Sequence, residues 1–192
     1  MLTPIIFYFG SGSPYAWKVW LTLEHKQLPY QAKRMSFDND DLQSAEFIAV
    51  NPRQKIPAIL DNGFAMYESS AILEYLEDRY PASGASLWPG DVNARAIARR
   101  RAAEVSAYVD PINSKIFSEV FGPADKVPNL AVIEEGKKSL AAELARIETW
   151  LAKNYLAGDQ LSGADFTLYP YLAFLGRGFH PVSVPRFSRP RG

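Results

Sequence analysis

The stretch Ile5-Ile6-Phe7-Tyr8-Phe9-Gly10-Ser11-Gly12-Ser13-Pro14-Tyr15-Ala16 decides how the rest of the chain is read. Its first five residues form an apolar run that suits a buried strand. Beyond it, Ala16, Val19, Trp20 and Leu23 recur at i, i+3, i+4 and i+7, which is one face of a helix running to about Glu24. Ser13 then falls at the N-cap and Pro14 at the first helical position, where a missing N–H costs nothing. The Ser13 hydroxyl stands beside the unpaired N–H groups and positive end of that helix, a place that favours an anion. A hydroxyl so placed can donate to an incoming thiolate. The same residues also suit a plain cap after a glycine turn, and the neighbouring segments must decide between the two.

Gln27-Leu28-Pro29 ends the helix, and Tyr30–Met35 reads as a second strand, which makes a βαβ unit with parallel strands. Residues 38–49 are polar with scattered apolar positions, fitting one loose helix or two short ones. Pro57 opens a third strand, a position that tolerates proline. Asp61-Asn62-Gly63 signals a type I′ hairpin, because Asn and Gly accept positive φ cheaply. A short strand, Phe64–Tyr67, returns antiparallel. Glu68-Ser69-Ser70 then opens a helix with Ile72, Tyr75, Leu76 and Arg79 on one face, closed by Pro81.

Ser-Pro-Tyr-Ala at 13–16 reads like the glutaredoxin Cys-Pro-Tyr-Cys with both thiols removed, a thioredoxin fold that binds a thiol in place of redox chemistry. Together with Asn-Pro and Ile-Pro at 51–57 and Glu-Ser-x-Ala-Ile at 68–72, it makes residues 5–81 resemble the N-terminal domain of the cytosolic glutathione transferase superfamily. The serine-type theta, zeta and delta-like classes are the nearest in pattern. The resemblance implies a thioredoxin-like α/β domain (βαβ-α-ββα, mixed four-stranded sheet) followed by an all-α domain. It implies that Ser13 is the catalytic serine, with Tyr8 and Ser11 as alternative donors. Pro57 matches a cis-proline, and Ile56 the residue whose backbone pairs with the cysteinyl unit of glutathione. Glu68 and Ser69 match residues that hold the γ-glutamyl end, and Gln54 a polar residue near the glycyl carboxylate. The chemistry agrees: Ser69 opens a helix whose N–H groups suit a carboxylate, and Glu68 can pair with an ammonium.

Residues 81–91 have linker composition, dividing a glutathione-binding domain over 1–80 from a helical one over 92–192. Trp88 is expected to plug the interface between them. A long helical pattern over 91–121 is interrupted by Pro111, which predicts a kink. Arg99, Arg100 and Arg101 go around that helix and read as a solvated or dimer-facing patch. Tyr108, Ile112 and Lys115 lie near the kink, where the family's corresponding helix borders the electrophile pocket; ordinary core and surface roles suit them equally. Residues 130–154 carry a core stripe of Ile133, Leu140, Leu144, Ile147 and Leu151. Leu161-Ser162-Gly163-Ala164-Asp165-Phe166 is a capping box with a hydrophobic staple, a structural signal. The tail over 176–192, with three prolines, four arginines and no acid, is expected to be irregular, where the family continues with helices.

Composition bounds the chemistry. In 192 residues, 21 Lys plus Arg balance 21 Asp plus Glu, so no basic excess points to nucleic acid or a membrane surface. No apolar run is long enough to span a bilayer. The absence of cysteine excludes disulfides, thiolate nucleophiles and thiolate metal sites, and two histidines offer little for a metal. A cytoplasmic homodimer is expected, with glutathione as co-substrate, a small hydrophobic electrophile as partner and no metal. Conjugation through attack of the glutathione thiolate is the first reading. A glutathione-dependent isomerase or dehalogenase of zeta type is the second, and a non-catalytic glutathione or ligand binder the third.

Overall fold

The computed structural model describes residues 3–37, 39–123, 125–151 and 153–178. Strand β1 (Ile5–Phe9) leads into helix α1 (Pro14–His25) and strand β2 (Tyr30–Arg34). A single helical turn at 41–43 and the short α2 (Ala45–Val50) follow, so the polar stretch forms two short pieces. Strands β3 (Ala58–Asp61) and β4 (Phe64–Tyr67) and helix α3 (Ser69–Arg79) complete this half. The strand order is β2-β1-β3-β4. β1 runs parallel to β2, with Ile5 opposite Tyr30, and antiparallel to β3, with Tyr8 opposite Ala58. β3 and β4 pair antiparallel through a tight turn in which Asn62 (φ 48°) and Gly63 (φ 83°) both take positive φ, as the hairpin signal requires. This is the mixed four-stranded thioredoxin-like sheet that the resemblance implies.

The period of two along β1 sends its side chains to two different cores. Ile5 and Phe7 pack with Val19, Leu23, Ile72 and Leu76 of α1 and α3. Tyr8 turns the other way, onto Phe47 and Val50 of α2 with Met35 and Ala58. Phe9 and Trp20, with ring centroids 5.2 Å apart, extend the first core towards the loop that follows β1.

The second half is helical: α4 (Val92–Glu104), a π turn (Val105–Val109), α5 (Asp110–Val120), α6 (Leu130–Glu148) and α7 (Gly163–Gly178). Pro111 explains the π turn. Proline has no N–H for the ordinary bond one turn back, and the ladder is instead carried past it by Asp110 N–H donating to Val105 O, five residues earlier. The extra residue rotates everything beyond it by about 100°, so the side chains beyond the turn change face. Gly136 of α6 lies where a Cβ would meet Ile116 Cγ1 at 2.6 Å, so the residue that weakens α6 also permits close packing on α5. α7 reaches Gly178, so residues 176–178 of the expected irregular tail are helical. Residues 179–192 of that tail lie outside the described residues.

The two halves share one core. Leu87, Trp88, Ala98 and Phe166 join the cluster of α1 and α3. Trp88 lies against Gly163, where a Cβ would come within 2.4 Å of the indole. The linker is pinned by Glu77, which accepts from buried Lys26 Nζ at 2.7 Å and Leu87 N–H at 3.1 Å. Burial opposes the Glu77 charge, but the bonds from Lys26, Ser86 and Leu87 outweigh it and hold its carboxyl below the usual range. Of the arginine run, Arg99 and Arg100 are exposed, as a solvated patch requires, while Arg101 departs from it. Arg99 pairs with Glu74 of α3 at 2.7 Å and lies over Trp88. Arg101 turns inward over Trp150 and donates to Leu156 O. Arg100 alone of the three stays on its own helix, beside Glu104 at 3.2 Å.

Candidate active site

Ser13 caps α1 from an extended conformation (φ −81°, ψ 116°), and its Oγ accepts from Ala16 N–H at 3.2 Å. A hydroxyl that accepts still holds its own proton, so capping and donation to a ligand are compatible. Gly12, at φ 81°, makes the turn that brings Ser13 to the helix, and Ser11 beside it is exposed. Tyr8 is only 2% exposed, with its ring 5.4 Å from that of Phe47, on the α2 side of the sheet.

The 51–57 loop is built on Asn51. Its side chain donates to Lys55 O at 2.6 Å and accepts from Arg53 N–H at 3.0 Å, and its carbonyl accepts from Gln54 N–H at 2.9 Å. Gln54 is exposed at φ 55°, and the Ile56–Pro57 bond is cis, as expected. Pro57 is buried, and Ile56 reaches the loop after β1: a Cβ on Gly10 would lie 3.2 Å from Ile56 Cδ1. The Ser13 and Ile56 segments are therefore neighbours.

The third segment begins α3. Glu68 sits at φ 68°, a conformation that non-glycine residues avoid, and its exposed side chain makes no capping bond. Ser69 is buried at the first helical position. Ser70 Oγ accepts from Lys18 Nζ, at 2.9 Å, so the starts of α1 and α3 are tied side by side. The π turn brings Asp110 to the same place, where it accepts from Tyr15 O–H at 2.6 Å. Tyr171 of α7 stands edge-on to the Tyr15 ring. Burial and the Asp110 carboxylate push the Tyr15 phenol up to about 12.

Of the three residues considered for the electrophile, Tyr108 is 57% exposed in the π turn, Lys115 is exposed on α5, and Ile112 packs on the helical core. An aromatic group that sequence reasoning missed stands against the Gly10–Ser13 loop. A Cβ on Gly12 would lie 3.4 Å from the Phe174 ring of α7, and Phe174 meets Phe117 at 4.6 Å and Phe121 at 5.5 Å. The i, i+4 spacing of Phe117 and Phe121 was visible in the sequence, but their meeting with Phe174 depends on how α5 and α7 pack. On the other side of the loop, the Phe37 ring lies 2.9 Å from where a Gly10 Cβ would be.

Residues 12–79 match the N-terminal domain of glutathione S-transferases, and residues 109–184 match their C-terminal domain. Glutathione S-transferase A of Pleuronectes platessa is 31% identical over 173 residues, covering 88% of this chain and 76% of its own. Maleylacetoacetate isomerase of Rattus norvegicus is 29% identical over 176 residues, covering 88% and 77%. A glutathione transferase family member from Pseudomonas fluorescens, solved with two glutathione bound, superposes with a TM-score of 0.76 at 27% identity, covering 90% of this chain and 78% of that one. With the sheet, the helical half and both domain matches in agreement, the chain belongs to the glutathione S-transferase family of enzymes.

Proposed function

We infer that the protein joins the glutathione thiolate to a small hydrophobic electrophile, with Ser13 as the donor to sulfur. The observation that carries this reading is the Ser13 cap: Oγ accepts from Ala16 N–H and keeps its proton for a ligand at the positive end of α1. A free thiol has a pKa of about 8.5, so one unit of depression raises the thiolate fraction near neutral pH several-fold. Ser13 does not act as a base at that pH; it stabilises the anion. The burial of Tyr8 beneath α2 supports Ser13 over Tyr8, and Ser11 remains a neighbour in the same loop.

In this reading the backbone of Ile56, next to Pro57, takes the cysteinyl unit, Glu68 and Ser69 the γ-glutamyl end, and Gln54 the glycyl end. Glutathione is the co-substrate, and the chemistry asks for no metal. The electrophile lies against Phe174, Phe117 and Phe121, with Tyr108, Ile112 and Lys115 further along the same helical segment; this wall favours flat aromatic substrates. Residues 1–80 form the glutathione-binding unit and 92–192 the helical one, a division supported by the end of α3 at Arg79 and the start of α4 at Val92. A cytoplasmic homodimer is the assembly expected, in which the first domain of one subunit meets the long helix of the other. The absence of cysteine suits a reducing compartment.

A second reading is glutathione-dependent isomerisation, favoured by the relative named maleylacetoacetate isomerase. There the thiolate adds to a double bond and leaves again after rotation. One experiment separates the two: thiolate absorbance of bound glutathione against pH, with turnover of an aromatic halide and of a cis-alkene diacid measured in parallel. Depressed thiol ionisation with halide turnover supports conjugation. Turnover of the diacid alone selects isomerisation, and failure to bind glutathione overturns both.

A further inference from the structure

Tyr15 and Asp110 come from different halves of the chain and meet at the start of α1. The Tyr15 phenol donates to Asp110 Oδ1 at 2.6 Å, and Ser114 Oγ donates to the same oxygen at 3.4 Å. Tyr171, buried on α7, stands edge-on to the Tyr15 ring at 6.3 Å. Burial and the Asp110 charge push its phenol up, so it stays protonated beside them. Pro111 accounts for the π turn, and what that turn delivers is Asp110. Its N–H reaches back to Val105 O, and a regular helix would carry its side chain about 100° away from Tyr15. Such turns are rare and concentrate at functional sites.

The tie reaches Ser13 through the first turn of α1. Ser13 Oγ accepts from Ala16 N–H, and Ser13 O accepts from Trp17 N–H at 3.0 Å, so Ser13 moves with that turn. Upstream, Gly10 and Gly12 flank Ser11, and such permissive backbone leaves the place of Ser13 to be set from the helix side. Cohesion of the two halves lies elsewhere. Leu87, Trp88, Ala98 and Phe166 join the core of α1 and α3, and His25 at the far end of α1 stands 5.2 Å from Phe166. Tyr15, at 36% exposure, adds little burial to that core. Its bond adds a fixed distance between the start of α1 and the helical half, where Phe174 meets both Gly12 and Phe117.

We propose that Asp110 is a positioning residue: through Tyr15 it fixes the first turn of α1, and so sets Ser13 Oγ against the helical half that receives the electrophile. The inference rests on the Ser13 reading above and adds to it the residue that holds Ser13 in register. A misplacement of about 1 Å costs on the order of 100-fold in rate. The glutathione contacts at Ile56 and α3 in that reading are left untouched. Burial and the Asp110 carboxylate hold the Tyr15 phenol at about 12, so the bond persists where a bound thiol titrates.

The test measures kcat with an aromatic halide, the glutathione Kd, and the pKa of the bound thiol from thiolate absorbance. Tyr15→Phe and Asp110→Ala are each expected to lower kcat by about 10- to 100-fold. Both should raise the thiol pKa and leave the Kd nearly unchanged. The double variant should lose no more than either single one, because both cut the same tie. Asp110→Asn keeps an oxygen that can accept from Tyr15 O–H and is expected to recover most of the loss. The sign of the pKa change separates positioning from direct charge, since removing a carboxylate that acted on sulfur through its field would lower the thiol pKa. A lower thiol pKa in Asp110→Ala or Asp110→Asn therefore overturns the proposal. So does wild-type kcat in Tyr15→Phe where Ser13→Ala has lost it, which leaves the Ser13 reading intact. A lower melting temperature with unchanged kcat and thiol pKa makes the bond merely structural and overturns the proposal too. If Ser13→Ala keeps wild-type kcat and thiol pKa, the Ser13 reading and this inference fall together. Should Asp110→Ala not fold, Tyr15→Phe and Asp110→Asn decide by the same readings.

Discussion

The starts of α1 and α3 lie side by side and are built in opposite ways. At α1 the chain enters extended, Ser13 supplies the cap oxygen to Ala16 N–H, and Pro14 needs no partner. That helix start is complete without a ligand and has one proton to give. At α3 the chain enters through Glu68 at φ 68°, no side chain caps the helix, and a buried lysine is directed towards it. Left-handed backbone at a non-glycine residue costs of order 1–3 kcal/mol, and an unpaired buried cation adds to that. Self-sufficiency therefore separates the two: the first end has its cap from within the chain, while the second has no side-chain cap.

The largest effect should come from removing the proton at α1. Ser13→Ala is expected to lower kcat by about 10- to 1000-fold, the range for one lost donor to an anion. Glutathione affinity should stay nearly unchanged, because the proposed reading has the tripeptide held at α3 and by Ile56. The pKa of the bound thiol should rise, read from thiolate absorbance, and loss of the cap should lower stability by ~1 kcal/mol. Tyr8→Phe should leave turnover and thiol pKa unchanged. If Tyr8→Phe loses both while Ser13→Ala keeps them, the complete helix end is not the one that holds sulfur.

The next effect sharpens the other side of the comparison. Lys18 has a lowered pKa, about 8 against 10.5 unfolded. Below pH 8 the lysine is charged in both states, and the cost of its burial is fully present. Between 8 and 10.5 the unfolded chain binds more protons, so this group makes the fold more stable as pH rises. The gain approaches about 3 kcal/mol at most. Above pH 10 the raised phenols of Tyr15, Tyr75, Tyr80 and Tyr171 reverse the trend, since they ionise first in the unfolded chain. Urea unfolding of ligand-free protein at pH 7.5 and 9.5 should show wild type gaining on Lys18→Met. No relative gain would mean that Lys18 is not held as a costly charge.

What could be read in the sequence divides along the same line. Ser13-Pro14, Asn62-Gly63, Ile56-Pro57 and the Ser162 box are local devices, each fixed by a few adjacent residues, and the structure has the expected geometry at each. The inward turn of Lys18, the arrival of Asp110 through the π turn and the Phe117–Phe121–Phe174 wall depend on helices distant in sequence. A lysine at position 18 looks like any surface lysine until α3 and α5 cover it. Arg101 was misread for the same reason: its face is decided by Trp150 and Leu156, some fifty residues on.

Glu68→Gly tests whether the α3 end is strained on behalf of a ligand. Glycine accepts φ 68° without steric cost, and Glu68 gives the helix no cap to lose. Relief of the backbone should exceed the added freedom of the unfolded chain, for a net gain of about 1 kcal/mol in ligand-free stability. Glutathione binding should weaken about tenfold, because the proposed reading makes Glu68 the partner of the γ-glutamyl ammonium. Lower stability with intact binding would make Glu68 an ordinary helix start.

The smallest effect belongs to a third helix start, which serves as the control. At α7, Ser162 Oγ accepts from Ala164 N–H at 3.3 Å and donates to Asp165 Oδ2 at 2.9 Å. Asp165 also accepts from Ser162 N–H at 2.9 Å and from Leu156 N–H at 2.8 Å. Every backbone N–H at this end is answered from within the chain, and it lies beside Trp88. Ser162→Ala removes one accepted and one donated hydroxyl bond but leaves both backbone donations to Asp165, so it should cost ~1 kcal/mol. For a chain of this size that is a melting shift of about 2–4 °C. Neither kcat nor the glutathione Kd should move. A change in kinetics without a change in melting would break the distinction, because a helix start complete in itself would then be acting on the ligand.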